Sequence, residues 1–155
     1  MFVTRAFVEG DLAGVKALVD RTIDASYTGT YPPGAIAFFK DYHSLECILN
    51  DARAGLTLVV EEDGKLIATG TLLGTNVRRM FVDPAQRGRG LGCALLSSLE
   101  RHARALGLTA LDLSASLPAH GFYLHYGYNT DSEECDVVTG GDMLRYYEMS
   151  KKLAP

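Results

Sequence analysis

Apolar and polar residues alternate from Phe2 to Val8 as in a half-buried strand, and from Asp11 to Ile23 they change to a helical rhythm. In that second stretch Leu12, Val15, Leu18, Val19 and Ile23 fall on one face, with Asp11 placed to cap the helix. The glycines and prolines of Ala25 to Gly34 end it in a surface loop, the kind of segment that often carries substrate contacts. Ala35 to Asn50 then predicts a second helix, running on toward Ala54, whose stripe of Phe38, Phe39, Tyr42, Leu45, Ile48 and Leu49 reads as core.

Strand periodicity returns at Leu56 to Glu61 and Leu66 to Leu73, joined by Glu62-Asp63-Gly64-Lys65, where Asp-Gly signals a tight hairpin. Asn76 to Val82 is a further strand, and Gly90 to Leu106 a helix with Leu91, Leu95, Leu99, Ala103 and Leu106 facing inward and Gly107 closing it. Leu111, Leu113 and Ala115 alternate with Asp112, Ser114 and Ser116 as a strand, and a short helix covers Pro118 to Tyr126. Glu134 to Thr139 then pairs with Leu144 to Lys151 through Gly140-Gly141. The order β-α-α-β-β-β-α-β-α-β-β is that of an α/β sandwich with a mixed sheet, uninterrupted by repeats, linkers or low-complexity tracts.

At 155 residues the chain is long enough for one domain with a real core and short for two, so a single domain over residues 1–155 is expected. No apolar run approaches the ~18–20 residues that cross a bilayer, so no membrane partner is expected. Met1 to Arg5 begins a strand pattern rather than a secretory signal, and the expected location is the cytoplasm. Cys47, Cys93 and Cys135 share no C-x-x-C spacing and the histidines form no ligand pattern, so the expectation is reduced, mostly buried thiols and no metal.

The net charge of −4 argues against nucleic acid as the main partner. Within this acidic chain Arg78, Arg79, Arg87, Arg89, Arg101 and Arg104 crowd one region against only Asp83 and Glu100, a local positive patch suited to a polyanionic small molecule. Asp131, Glu133, Glu134 and Asp136 form an acidic cluster that reads either as a solvated turn or as a feature attracting a cationic amine.

The positive region centres on Arg87-Gly88-Arg89-Gly90-Leu91-Gly92, which follows a strand and leads straight into a helix. Glycines let the backbone turn with positive φ, and the first N–H groups of the helix have no partner within it, so the segment can hold a phosphate. A Walker A loop would end in Gly-Lys-Ser/Thr where this one has Gly92-Cys93-Ala94. The dinucleotide pattern G-x-G-x-x-G fits Gly88 and Gly90 but meets Cys93 at its third glycine, and an RNA-binding Arg-Gly tract would recur.

The spacing Arg-x-x-Gly-x-Gly from Arg87 through Gly90 to Gly92, after Met80-Phe81-Val82-Asp83-Pro84, resembles the acetyl-CoA motif of the GNAT superfamily of N-acetyltransferases. The resemblance continues through Leu111 to Ser116, the Phe122-Tyr123 and Gly127-Tyr128 pairs and the Tyr147-Glu148-Met149-Ser150-Lys151 ending, covering residues 60–153. It implies a mixed, mostly antiparallel sheet of about seven strands flanked by four helices, splayed at the strand before the glycine loop. It also implies acetyl-CoA as cosubstrate, its pyrophosphate on Arg87, Gly88, Arg89, Gly90, Leu91 and Gly92, and its pantetheine amides on the backbone of Phe81 and Val82.

By the same resemblance the reaction is acetyl transfer to a small-molecule or peptide amine, with Tyr123 as general acid and Tyr126 and Tyr128 as competing phenols. The loop bearing Tyr27 and Tyr31, and Tyr42 beyond it, would line the acceptor side. Many family members carry a glutamate on the strand before the loop; here Asn76-Val77-Arg78-Arg79-Met80 has no carboxylate, and Asp112, Glu133 and His120 are the candidates for a base. A module that binds acyl-CoA without chemistry is the alternative of a different class, and a homodimer is compatible with either.

Overall fold

An Asp-Gly turn and a β-bulge shape the part of the sheet that positions the site in the computed structural model, which describes residues 1–155. Strand β1 (Val3–Ala6) pairs antiparallel with β2 (Leu56–Glu62), and β2 with β3 (Lys65–Leu73) through Asp63 and Gly64, both at positive φ as the Asp-Gly turn requires. β3 pairs with β4 (Asn76–Val82), but Arg79 and Met80 together oppose Gly70, a β-bulge with Arg79 at φ 54°. A Cβ on Gly70 would run into Met80 Sδ, so the glycine makes room for the bulged strand.

Bulges bend the strand that carries them. Beyond this one β4 parts from its next neighbour, β5 (Ala110–Ser116), to which it is joined in parallel only at Asn76 and Asp112. β5 then pairs with β7 (Met143–Lys152), and β7 with β6 (Asn129–Val137), giving the order β1-β2-β3-β4-β5-β7-β6.

Helix α1 (Leu12–Ser26) and α3 (Leu45–Ala54) cover one face, where Val15, Val19, Ile23 and Ile48 pack on Val59 and Phe81. Helix α4 (Leu91–Ala105) covers the other, with Leu91 and Leu95 against Ile67. A short helix, α5 (His120–His125), follows β5 and places Tyr123 and Tyr128 in the core with Leu96, Leu99 and Met149. Its C-terminal turn is tied to α4 by the buried carboxylate of Glu100, which accepts hydrogen bonds from Tyr128 Oη at 2.8 Å and Lys151 Nζ at 3.1 Å. Lys151 also donates to the Tyr126 carbonyl.

The expected second helix is two helices, α2 (Pro33–Tyr42) and α3, which raises the helix count from four to five. His43 leaves helical geometry and the Ser44 hydroxyl accepts from Cys47 N at 3.2 Å, capping a new helix. The break turns the apolar stripe away from the core, leaving Phe38, Tyr42 and Leu45 exposed.

Other boundaries shift for local reasons. Asp11 does not cap α1, because its carboxylate is held by the Arg5 guanidinium and Val8 N. Leu106 lies outside α4 and is exposed, since Gly107 at φ 82° turns the chain off the helix at that point. β6 begins at Asn129, five residues before the expected Glu134, because its pairing with β7 continues to Ser150. Cys135 is exposed rather than buried, while Cys47 and Cys93 are half-buried.

Candidate functional site

The glycine loop is anchored at its start by Asp83, a buried carboxylate that accepts from Ala85 N at 3.0 Å and Arg21 Nη2 at 2.9 Å. These partners hold its carboxyl below the usual range despite the opposing effect of burial. Gly88 and Gly90 then adopt φ 81° and 75°, conformations that side chains resist. None of the backbone N–H groups from Arg87 to Cys93 donates to an acceptor of the protein, so the start of α4 presents a continuous run of free donors.

The expected loop residues do different things. Gly92 is pressed by α5, since a Cβ there would lie 3.0 Å from Phe122 Cε1. Leu91 turns its side chain into the core, leaving only its backbone outside. Arg87 reaches across to Ser26 Oγ and keeps a guanidinium free of any carboxylate. Arg89 is committed to Glu62 by bonds of 2.6 and 2.8 Å and lies over the Phe2 ring, so its charge is neutralised on the protein.

The remaining arginines form no single patch. Arg78 and Arg79 share Asp51, Arg101 donates to Ser98 Oγ, and Arg104 donates to the Ala154 carbonyl.

Where β4 and β5 part, two cavities meet. The larger, about 530 Å³, runs from Arg87 and Gly92 along Val82 and Phe81. The second, about 340 Å³, lies toward α2 and β6. Tyr27, Phe81, Ser116 and Tyr123 line both. Beyond Asn76 the β4 edge facing β5 has no strand partner. Because Asp83 N donates to the Ile67 carbonyl, alternation along the strand turns the expected Phe81 backbone groups toward Thr69 of β3 and leaves those of Val82 open on that side.

Tyr123 is 6% exposed and its hydroxyl has no hydrogen-bond partner in the protein, yet it is not sealed from the open space between the cavities. Burial pushes its pKa up, so the phenol is neutral and keeps its proton. Tyr27 stands beside it, donating to Ser116 Oγ at 3.1 Å. The competing phenols are elsewhere: Tyr128 is bonded to Glu100, and Tyr126 lines neither cavity.

None of the expected bases faces either cavity. Asp112 accepts from Thr75 Oγ1 and Asn76 Nδ2 at the closed end of the β4–β5 gap. His120 stacks on Tyr147 at 3.8 Å and bonds Thr130, and Glu133 is exposed on β6. The carboxylate that does line the smaller cavity is Asp136, a member of the acidic cluster, held by Tyr146 Oη at 3.1 Å. Of the loop tyrosines, Tyr31 is structural, donating to the Arg145 carbonyl and accepting from Leu117 N, whereas Tyr42 lines the smaller cavity with Phe38 and Phe39.

Sequence reasoning missed His43 altogether and assigned Arg79 only to a general positive patch, not to this cavity. His43 is buried against Arg79, whose Nε donates to its Nδ1, and burial together with Arg79 lowers the imidazole pKa to about 3. Arg79 itself is a buried guanidinium beside the smaller cavity. A conspicuous Arg-Arg pair in an apolar strand was the available signal for the second.

Comparison with known proteins agrees with this arrangement. The family model described as "Acetyltransferase (GNAT) family" matches residues 17–128. Among solved structures, a GCN5-related N-acetyltransferase from Rhodopseudomonas palustris superposes with a TM-score of 0.88 at 23% identity, covering 97% of this chain and 95% of that one. The PaiA N-acetyltransferase from Thermoplasma acidophilum, solved in complex with coenzyme A, gives 0.77 at 19% identity over 98% and 99%. The ribosomal-protein-S18-alanine N-acetyltransferase from Escherichia coli gives 0.73 at 18% over 100% and 96%.

Proposed function

The chain belongs to the GNAT acetyltransferase family, and on that premise we propose that it is an N-acetyltransferase, acting as one domain over residues 1–155, that moves an acetyl group from acetyl-CoA to a primary amine. The observation that carries this reading is the run of unpaired N–H groups from Arg87 to Cys93, opening beside a cavity that follows the free edge of β4 to Tyr123.

The pyrophosphate rests on the N–H groups of Arg87, Gly88, Arg89, Gly90, Leu91 and Gly92, where the α4 dipole adds ~0.3–1 kcal/mol. Arg87 supplies the free positive charge there. The pantetheine arm pairs with the backbone of Val82 and runs past Phe81, whose own backbone is bonded to β3, as an added strand between β4 and β5.

The acceptor enters the smaller cavity. Its ammonium, with pKa of about 10.4 for a lysine-like amine, sheds a proton by way of Asp136 and water at a cost of roughly 4 kcal/mol near neutrality. The nitrogen lone pair attacks the thioester carbon, the C–N bond forms, and the C–S bond breaks with its electron pair leaving on sulfur. Tyr123 donates a proton to that sulfur, and the second proton shed by nitrogen restores the phenol. The products are an acetamide and the CoA thiol, with one proton released. Because burial raises the Tyr123 pKa, its contribution is largely a hydrogen bond that strengthens as charge grows on sulfur.

Two measurements test the reading: thermal stabilisation by acetyl-CoA, and thiol release when a panel of small amines and peptides is added. Stabilisation with release supports transfer. Stabilisation without release on any amine leaves only the acyl-CoA-binding module, and stabilisation by neither acetyl-CoA nor CoA overturns both.

A further inference from the structure

The smaller cavity carries opposite charges on different walls. On the β4 side it is lined by Arg78 and Arg79, and the one carboxylate that either touches is Asp51, 3.0 Å from Arg79 Nη2 and 3.5 Å from Arg78 Nη1. Two guanidiniums sharing one carboxylate leave a positive charge uncompensated. The Arg79 side chain is 1% exposed, and its Nη1 has no acceptor anywhere in the protein. A buried donor left unpaired is costly, and here it sits at the edge of a binding cavity. Arg78, at 27% exposed, is the guanidinium that a ligand can reach directly.

On the opposite side, formed by β5, β6 and β7, the same cavity is lined by Ser114, Asp136 and Tyr146, with Glu148 accepting from Ser114 Oγ at 2.6 Å. These fields act on two neighbouring side chains. After burial itself, the positive charges of Arg79, Lys16 and Arg78 depress His43, and Asp136, Glu148 and Glu134 help push Tyr146 up to about 12. A third wall is apolar, with Phe38 and Tyr42 stacked 6.1 Å apart on α2.

Resting on the acetyl-transfer reading above, we propose that the acceptor is a small amino acid-like zwitterion with an apolar body, its carboxylate held by Arg78 in front of Arg79 and its amine drawn to the Asp136 side. A cavity of about 340 Å³ has room for such a molecule but not for a folded protein surface. A simple amine would leave the Arg78–Arg79 charge unanswered, and a peptide amine lacks the adjoining carboxylate.

The test compares thiol release in matched pairs that differ by the carboxylate: phenylalanine against phenethylamine, and 6-aminohexanoate against hexylamine. In at least one pair the acid has a kcat/KM tenfold or more above the amine, Arg78→Gln brings that ratio near one, and Arg78→Lys retains most of it. Amines that equal or surpass the acids in both pairs overturn the proposal, as does a ratio unmoved by Arg78→Gln. Amine turnover without preference for the acid sinks only this inference. Absence of release with all four compounds overturns this proposal, and the transfer reading falls with it only if the wider panel of amines and peptides also releases no thiol while acetyl-CoA still raises the melting temperature.

Discussion

Tyr128 Oη lies 2.8 Å from Glu100 Oε2, joining the turn after α5 to the helix that follows the glycine loop. Lys151 completes the charge balance from β7. The unit therefore fixes Tyr123, which packs edge-on against Tyr128 with ring centroids 5.6 Å apart, relative to the start of α4.

Glu100→Ala strands the buried Tyr128 hydroxyl and leaves the Lys151 ammonium with only the Tyr126 carbonyl, and the expected loss is roughly 2–4 kcal/mol, since breaking a buried pair leaves its partner uncompensated. Urea denaturation measures this directly. A loss below about 0.5 kcal/mol, within the range of an ordinary surface change, would contradict the assignment.

Tyr123→Phe removes a hydroxyl that has no partner in the protein, so the fold should be nearly unaffected. The proposed proton donor is lost, and kcat is expected to fall roughly tenfold to several hundredfold with little change in the acetyl-CoA KM. Steady-state kinetics decide it: an unchanged kcat takes Tyr123 out of the chemistry.

Arg87 and Arg89 separate a free charge from a spent one. Arg87→Ala should raise the acetyl-CoA KM roughly tenfold to a hundredfold, the value of a charge-assisted hydrogen bond. Arg89→Ala should raise it far less, because Glu62 already holds that guanidinium. The reverse order of effects in donor titrations would refute this division.

Gly90 sits at φ 75° with nothing within 4 Å of an added Cβ, so the cost of Gly90→Ala is conformational rather than steric. It should destabilise by about 1–2 kcal/mol, with Gly90→Asn less harmful because Asn tolerates left-handed geometry. Equal losses from both variants in thermal melts would point to crowding instead.

His43 titrates near pH 3 in the folded protein and near an ordinary value of about 6.5 when unfolded. Its folded pKa is depressed, so its stabilisation is complete above the unfolded value and drains away as pH falls from about 6.5 toward 3, at up to about 1.4 kcal/mol per pH unit. His43→Asn keeps an acceptor for Arg79 Nε and removes the titration. Chemical denaturation at pH 7 and pH 4.5 should show a smaller acid loss in the variant than in the parent, and an identical loss would exclude His43 as the source.

Much of this was legible because local chemistry decides it. The Asp63-Gly64 turn, the glycines opening α4 and the Gly107 stop each place a special residue where the backbone demands one. The boundary between α2 and α3 was hidden by an apolar spacing that continues through it, although Ser44 was there as a cap. Tyr123 could be singled out by its place in a resemblance, but the Asp136 side of the cavity depends on the register of β6 against β7, which pairs Asp136 with Leu144. The bulge that buries Arg79 leaves no periodic trace, and a second arginine in a strand reads as solvated until tertiary packing says otherwise.

The single rung between Asn76 and Asp112 has a mechanical meaning as well. It divides the sheet into a four-stranded leaf and a three-stranded leaf that share almost no ladder. A guest lying in the gap acts as mortar between them, so hydrogen exchange along β5 should slow when the donor is seated even where no atom of β5 touches it.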